Sequence, residues 1–137
     1  MNSYQYEGGE LDLFKHAENW KRYWGSFIGG YLQGDVLEVG AGIGSNTLLL
    51  RGSRQKRWVC LEPDRGLAAQ LQTLISTRSS TGSCRVIEGA LDALAPEELF
   101  DVVMYIDVLE HIRDDRRELA LASKHLKPNG RLILLAP

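Results

Sequence analysis

The stretch Val36-Leu37-Glu38-Val39-Gly40-Ala41-Gly42-Ile43-Gly44-Ser45-Asn46-Thr47 decides the fold: an apolar strand enters a glycine-rich turn and leaves it as a helix. Gly40, Gly42 and Gly44 fall on every second residue, and Glu38 stands two before the first. Glycine permits positive φ and leaves no Cβ in the way, so the chain turns sharply and a ligand can lie against the backbone. A dinucleotide fingerprint, G-x-G-x-x-G, asks for glycine three positions after Gly42, where this chain has Ser45. That spacing weakens a nicotinamide reading. The bland alternative is a tight strand-to-helix turn of an unrelated α/β protein.

The pattern E-x-G-x-G-x-G at Glu38–Gly44 resembles motif I of the class I S-adenosylmethionine-dependent methyltransferases. The resemblance implies a loop lying under the methionine and ribose parts of the cofactor, with Gly40, Ala41, Gly42, Gly44 and Asn46 around it. The Gly40 carbonyl would accept from the cofactor ammonium, and the Glu38 carboxylate would suit its positive field.

The chain has 137 residues, 44% of them hydrophobic, enough for one domain with a real core. A net charge of -2 argues against a general nucleic-acid or anionic-membrane partner, which demands a positive field. Cys60 and Cys84, without metal-ligand spacing, read as reduced thiols of a cytoplasmic protein. No apolar run approaches the roughly 20 residues that a bilayer requires.

Residues 1–9 read as a polar, mobile arm. From Leu11 to Leu32, the residues Trp20, Tyr23, Trp24, Phe27, Ile28 and Tyr31 recur at helical spacing, predicting an amphipathic helix stopped by Gly34. This stripe reads as packing against a sheet. The family resemblance also makes Tyr23 and Trp24 candidates for covering the cofactor or forming the acceptor pocket. The expected division is an arm and helix over 1–34 and a cofactor-binding unit over 35–137, within one structural domain.

Ser45 or Asn46 is placed to cap a helix through Leu50, and Arg57–Leu61 is the next strand, ending in Glu62-Pro63-Asp64. Glu62 stands 22 positions after Gly40, close to the spacing of about 20 at which a βαβ unit offers an acid to a ribose hydroxyl. Glu62, with Pro63 beside it, is the expected ribose ligand, and Asp64 fits a helix cap better. Arg51, Arg54, Lys56 and Arg57 read as a solvated loop after a helix end.

Leu67, Ala68, Leu71, Leu74 and Ile75 form a helix face, and Ser76–Ser83 is a polar, flexible loop. A strand Cys84–Glu88 then runs into Gly89-Ala90-Leu91-Asp92. The resemblance implies that Ala90, Leu91 and Asp92 border the adenine. Similar sequences carry the acid one residue later, where this chain has Ala93.

Phe100–Ile106 is almost wholly apolar, as a central parallel strand should be, and leads into Asp107-Val108-Leu109-Glu110-His111. This F-D-V-V-M-Y-I-D-V-L-E-H string is a second resemblance to the same family and implies a cofactor contact at Asp107. His111, whose ordinary pKa lies near neutrality, is the candidate catalytic base, with a purely structural role as the alternative. Asp107, Glu110 and His111 also offer a divalent-ion reading, for which the sequence supplies no further ligand. A helix over Arg116–Leu126 and a strand over Arg131–Leu135 follow, joined by Lys127-Pro128-Asn129-Gly130, which resembles motif III.

The resemblance thus covers Val36–Pro137 and implies a Rossmann-like, doubly wound α/β fold with a mainly parallel sheet and an N-terminal amphipathic helix. Family members continue with another helix and two or more strands. The expectation is that the cofactor half is present and much of the acceptor half is missing. The implied activity is methyl transfer from S-adenosylmethionine. No N-P-P-Y-like tetrad follows the fourth strand, which disfavours amino-methylating nucleic-acid enzymes and leaves a small-molecule or lipid-like acceptor. A non-catalytic cofactor-binding module, a fragment of a longer enzyme, a nicotinamide-dependent oxidoreductase and an aminopropyltransferase-like use of a decarboxylated cofactor stand as alternatives. An exposed sheet edge would invite a homodimer.

Overall fold

The computed structural model describes residues 8–78 and 83–137, with side chains from residue 17 onward. Most of the expected N-terminal arm and the middle of the 76–83 loop lie outside the described residues. Contacts divide the chain into two compact units, one ending at Gly30 and one beginning at Tyr31.

The first unit holds α1, Gly8–Ile28. The helix ends earlier than expected, at the Gly29-Gly30 pair, which opens a 3-10 turn over Gly29–Tyr31. Glycine is the poorest helix former after proline, and two in succession suffice to stop the ladder. The aromatic stripe bears out the core reading only in part: Trp24 is buried, while Trp20, Tyr23 and Phe27 are each more than half exposed. They cover one another, with Trp20 and Tyr23 stacked at 5.7 Å and Tyr23 and Phe27 edge to face at 4.9 Å.

The second unit is built on β1 (Gly34–Val39), β2 (Gln55–Glu62), β3 (Ser83–Glu88), β4 (Phe100–Ile106) and β5 (Leu126–Leu135). The strands form one sheet in the order β3-β2-β1-β4-β5, every neighbouring pair parallel. Gly34 opens β1 rather than closing a helix, at φ +75. The connecting helices are α2 (Ser45–Leu50), α3 (Arg65–Thr77) and α4 (Asp115–Lys124). Asp64 caps α3, its side chain accepting from the Leu67 amide at 2.9 Å. Asn129, at φ 64, takes the left-handed turn position expected of it inside β5, which begins earlier than predicted.

Strand side chains alternate between faces. Leu37 and Val39 of β1, Val59 and Leu61 of β2, and Val103 and Tyr105 of β4 form one apolar cluster with Leu91, Leu94, Phe100 and Ala122. The opposite face carries Val36, Glu38, Trp58 and Cys60, also buried. Strands covered on both sides read as unbroken apolar runs, as these do.

At the amino ends of the strands, Arg57 corrects the solvated-loop reading. It belongs to β2, lies 4.5 Å above the Phe100 ring and donates to the Leu99 carbonyl at 3.1 Å. Lys127 bridges Asp35 and Asp101 at 3.0 Å each. Cys60 and Cys84 are free thiols, as expected. Among the described residues no helix is long and apolar enough to cross a membrane.

Candidate active site

The order of strands reverses between β1 and β4, and ligands of open α/β sheets bind outside the carboxyl ends of the strands at such a point. Here the ends of β1 to β4 frame a cavity of about 510 Å³, lined by Val39, Gly40, Glu62, Pro63, Gly89, Ala90, Asp107, Val108, His111, Ile112 and Glu118. Its size suits a small ligand.

The glycine loop is pinned beside it. The Gly40 and Ala41 amides both donate to the Leu61 carbonyl, at 2.8 and 3.0 Å. Gly40 has φ +70, and a Cβ there would sit 2.6 Å from Val108, so the loop closes on the segment after β4 only because that atom is missing. Gly42 also has positive φ, but a Cβ there would meet nothing within 4 Å, leaving its backbone open. Gly44, in the left-handed region, is the residue that precedes α2, and no side chain caps that helix. The expected capping by Ser45 or Asn46 is therefore replaced by a glycine turn.

Glu62 is almost fully buried at the end of β2. One carboxylate oxygen accepts from the Gly42 amide at 2.9 Å and the other from the Asp64 amide at 3.0 Å. The acid thereby ties the glycine loop to the start of α3 before any ligand is considered. Asp107 follows β4 in the left-handed region, φ 54, its amide donating to the Leu135 carbonyl at 2.8 Å. A non-glycine residue there costs on the order of 1 kcal/mol, a kind of strain that gathers at functional sites. His111 ends a 3-10 turn over Leu109–His111, exposed and 3.7 Å from Glu110. Among the described residues no group of three or more His, Cys, Asp or Glu is placed to hold a metal ion.

The structure brings Gly40, Glu62, Pro63, Ala90, Asp107 and His111 to one cavity, with Gly42 joined to it through Glu62. Ala41 is held beside Gly40 by the same Leu61 carbonyl. The other candidates, Gly44 among them, do not line the cavity. Glu38 lies under the loop on the opposite face of β1, one oxygen accepting from Thr47 Oγ1 at 2.5 Å and Trp58 Nε1 at 3.2 Å. Burial pushes its carboxyl up to about 7, against the opposing pull of these hydrogen bonds. Asn46 does not line the cavity, and its buried Oδ1 has no hydrogen-bond partner among the described residues. Leu91 is part of the apolar core. Asp92 is exposed beside a neighbouring cavity of about 380 Å³, which shares Ala90, Ile112 and Glu118 with the first. Tyr23 and Trp24 lie on α1, in the first unit.

Sequence reasoning missed Val39, Gly89, Val108, Ile112 and Glu118 as lining residues. Val108 directly follows Asp107 and Ile112 directly follows His111; Glu118 is one acid of a charged helix start, Asp114-Asp115-Arg116-Arg117-Glu118, with no local mark. Only the packing of α4 separates it from its neighbours. Its Oε1 accepts from the hydroxyl of fully buried Tyr105 at 2.7 Å.

Residues 37–132 match the family described as Methyltransferase domain. The chain is similar to the tRNA U34 carboxymethyltransferase of Ruthia magnifica subsp. Calyptogena magnifica, 32% identical over 99 residues, which cover 72% of this chain and 31% of that protein. Among solved structures it resembles the YcgJ protein of Bacillus subtilis, with a TM-score of 0.71 and 20% identity over 82% of this chain and 49% of that one. It also resembles the glycopeptide N-methyltransferase MtfA complexed with S-adenosylmethionine, with a TM-score of 0.63 and 25% identity over 83% of this chain and 51% of that one. The chain spans less than a third of the curated relative and about half of each of these structures. The family match covers well over half of the residues, and the chain belongs to the methyltransferase domain family.

Proposed function

We propose that the second unit binds S-adenosylmethionine in the cavity at the strand ends and serves methyl transfer in the cytoplasm. The observation that carries the reading is the charge of the wall: Glu62, Asp107 and Glu118 line it, and among the described residues no lysine or arginine does. Such a wall favours a cationic ligand and opposes a dinucleotide diphosphate. The open backbone at Gly42 and the buried acid bonded to it fit a ribose-bearing ligand lying against the loop.

S-adenosylmethionine supplies a methyl group already activated by a sulfonium. Once bound, it would present that carbon to in-line attack by an acceptor lone pair, the carbon–sulfur bond breaking to release a neutral thioether and the acceptor giving up a proton. The chain's contribution is then alignment and exclusion of water, with His111 positioned at the cavity to take the proton of a hydroxyl or thiol acceptor. We assign the acceptor to small or lipid-like molecules. The similarity to a protein named for tRNA favours a second reading, an RNA acceptor. Each outer strand, β3 and β5, pairs with one neighbour, and two copies joining along such an edge is the dimer we propose.

Calorimetric titration with S-adenosylmethionine, S-adenosylhomocysteine and NADH tests the cofactor. Saturable binding of the first two alone, lost in Gly42→Val and weakened in Glu62→Ala, is expected. A folded chain that binds NADH instead refutes the reading. A gel shift with total tRNA decides between the acceptor classes, and light scattering reports the dimer.

A further inference from the structure

We propose that the amino ends of the strands carry a second binding site, one that takes a sugar phosphate. It lies at the end of the sheet remote from the cofactor cavity: β1 spans six residues, which at a rise of about 3.3 Å each puts roughly 17 Å between the two openings. A cavity of about 430 Å³ opens there, and Tyr31, Lys56, Asp101, Lys127, Asn129 and Arg131 supply its chemistry. Among the described residues the cofactor cavity is lined by three carboxylates, and this one by three cations and one carboxylate. The ion pairs nearby leave part of that positive charge uncompensated. Arg85 meets Glu98 at 2.6 Å, Arg57 meets Asp35 at 3.6 Å and Lys127 meets Asp101 at 3.0 Å, so each of these acids has its own cation. Among the described residues Lys56 and Arg131 are in no ion pair. The Arg131 guanidinium is instead held 5.0 Å from the centre of the Tyr31 ring. A ring anchors a guanidinium without consuming its N–H groups, which leaves the planar fork for a phosphate.

The backbone is shaped around these groups. Phe100 pairs with Leu126 and Val102 with Arg131, so two steps along β4 answer five along β5, and residues 127–130 loop out of the ladder. The excursion brings Lys127 to Asp35 of β1 at 3.0 Å and sets Asn129 in the left-handed region, φ 64. Bulges re-aim side chains, and strained residues gather at functional sites. A Cβ on Gly34 would collide with the Asp101 carboxylate, which closes over the start of β1 only because that atom is missing. One Asp101 oxygen accepts from the Asp35 amide at 2.7 Å and from Lys127 at 3.0 Å, and the other has no hydrogen-bond partner among the described residues. The Asp35 amide, and with it Lys127, hold the carboxyl below the usual carboxylate range against the opposing effect of burial. An ionised carboxylate only accepts hydrogen bonds, so it addresses hydroxyl groups and not phosphate oxygens. Cations for a phosphate beside an acid for hydroxyls describe a sugar phosphate rather than a bare anion. A free sugar phosphate and the 5′-phosphorylated end of an RNA share that chemistry.

The test is titration of the full chain with ribose 5-phosphate, inorganic phosphate and ribose, followed by calorimetry and by amide shifts in nuclear magnetic resonance. Saturable binding of ribose 5-phosphate is expected, with the largest shifts at Gly34, Asp101, Asn129 and Arg131 and none at Gly40, Gly42 or Gly44. Inorganic phosphate should bind about tenfold more weakly, the scale of one charge-assisted hydrogen bond, and ribose should not bind. Arg131→Ala and Lys56→Ala should each weaken ribose 5-phosphate by about tenfold. Arg116→Ala, which removes an exposed cation of α4 outside the cavity, should leave its affinity unchanged. A folded chain that does not bind ribose 5-phosphate, shifts confined to other residues, or equal weakening by Arg116→Ala and Arg131→Ala overturns the site. Inorganic phosphate that binds as tightly as ribose 5-phosphate overturns the sugar phosphate as its ligand. A short RNA with a 5′ phosphate separates the two sources, either outcome upholding the site. Binding about tenfold tighter than ribose 5-phosphate, with the same shifts, makes the ligand an RNA end, and equal or weaker binding makes it a free sugar phosphate.

Discussion

Glu38 makes the stability of this domain depend on pH in a direction opposite to that of an ion-paired carboxylate. Its carboxyl lies 2% exposed beneath the glycine loop, and burial raises its pKa from 4.5 to about 7. The folded chain therefore holds a proton that the unfolded chain releases, and between these values stability falls as pH rises. Each tenfold difference in proton affinity is worth about 1.4 kcal/mol, so the full effect is about 3 kcal/mol, present below pH 4.5 and lost by about pH 7 to 8. Glu38→Gln keeps an acceptor for Thr47 and Trp58 but cannot ionise. Urea unfolding of both proteins from pH 4.5 to 8.5 isolates the group, because every other titration cancels in the difference. The variant should gain about 3 kcal/mol on wild type across that range. A flat difference would refute the argument that desolvation outweighs the hydrogen bonds that this oxygen accepts from Thr47, Trp58 and the Cys60 thiol.

Cys84 should be alkylated by iodoacetamide with a midpoint near pH 7, while buried Cys60 stays unmodified in the native state. Hydrogen bonding from the Cys60 thiol and the nearby charge of Arg51 lower the Cys84 pKa to about 7, so its thiolate gains as pH rises through that value. Gly40→Ala should destabilise the fold by about 2 kcal/mol or more, through positive φ and the Val108 clash, and Gly40→Ala with Val108→Ala should recover the steric part in thermal melts. Asp64→Ala should cost about 1 kcal/mol by removing the α3 cap, with urea unfolding as the measure.

Much of the fold was legible because parallel strands announce themselves. The unbroken run Phe100–Ile106 and the strand-to-glycine transition at Val39–Gly40 needed no tertiary information. Glu62 was legible too, because the length of a βαβ unit fixes where its second strand ends. Glu38 was misplaced because strand periodicity tells which residues share a face but not which face turns toward the ligand. Asp92 was displaced by a local choice: Leu91 goes into the core, and the next residue then points to solvent. Glu118 was beyond reach because its partner, Tyr105, belongs to another element, and no spacing rule joins a β4 residue to the first turn of α4.

The alternation along β1 also guards the assembly of the sheet. Leu37 and Val39 face an apolar cluster, and the carboxyl of Glu38 between them has hydroxyl and indole donors waiting on the other side. Deleting one residue before Leu37 would exchange the faces, driving the carboxyl among Val59, Leu61 and Val103 and abandoning the Trp58 and Thr47 donors. A buried acid without partners costs several kcal/mol, comparable to the whole stability of a small domain. The same acid thus serves as a proofreading device, since a slip of the central strand by one residue would bury it without donors.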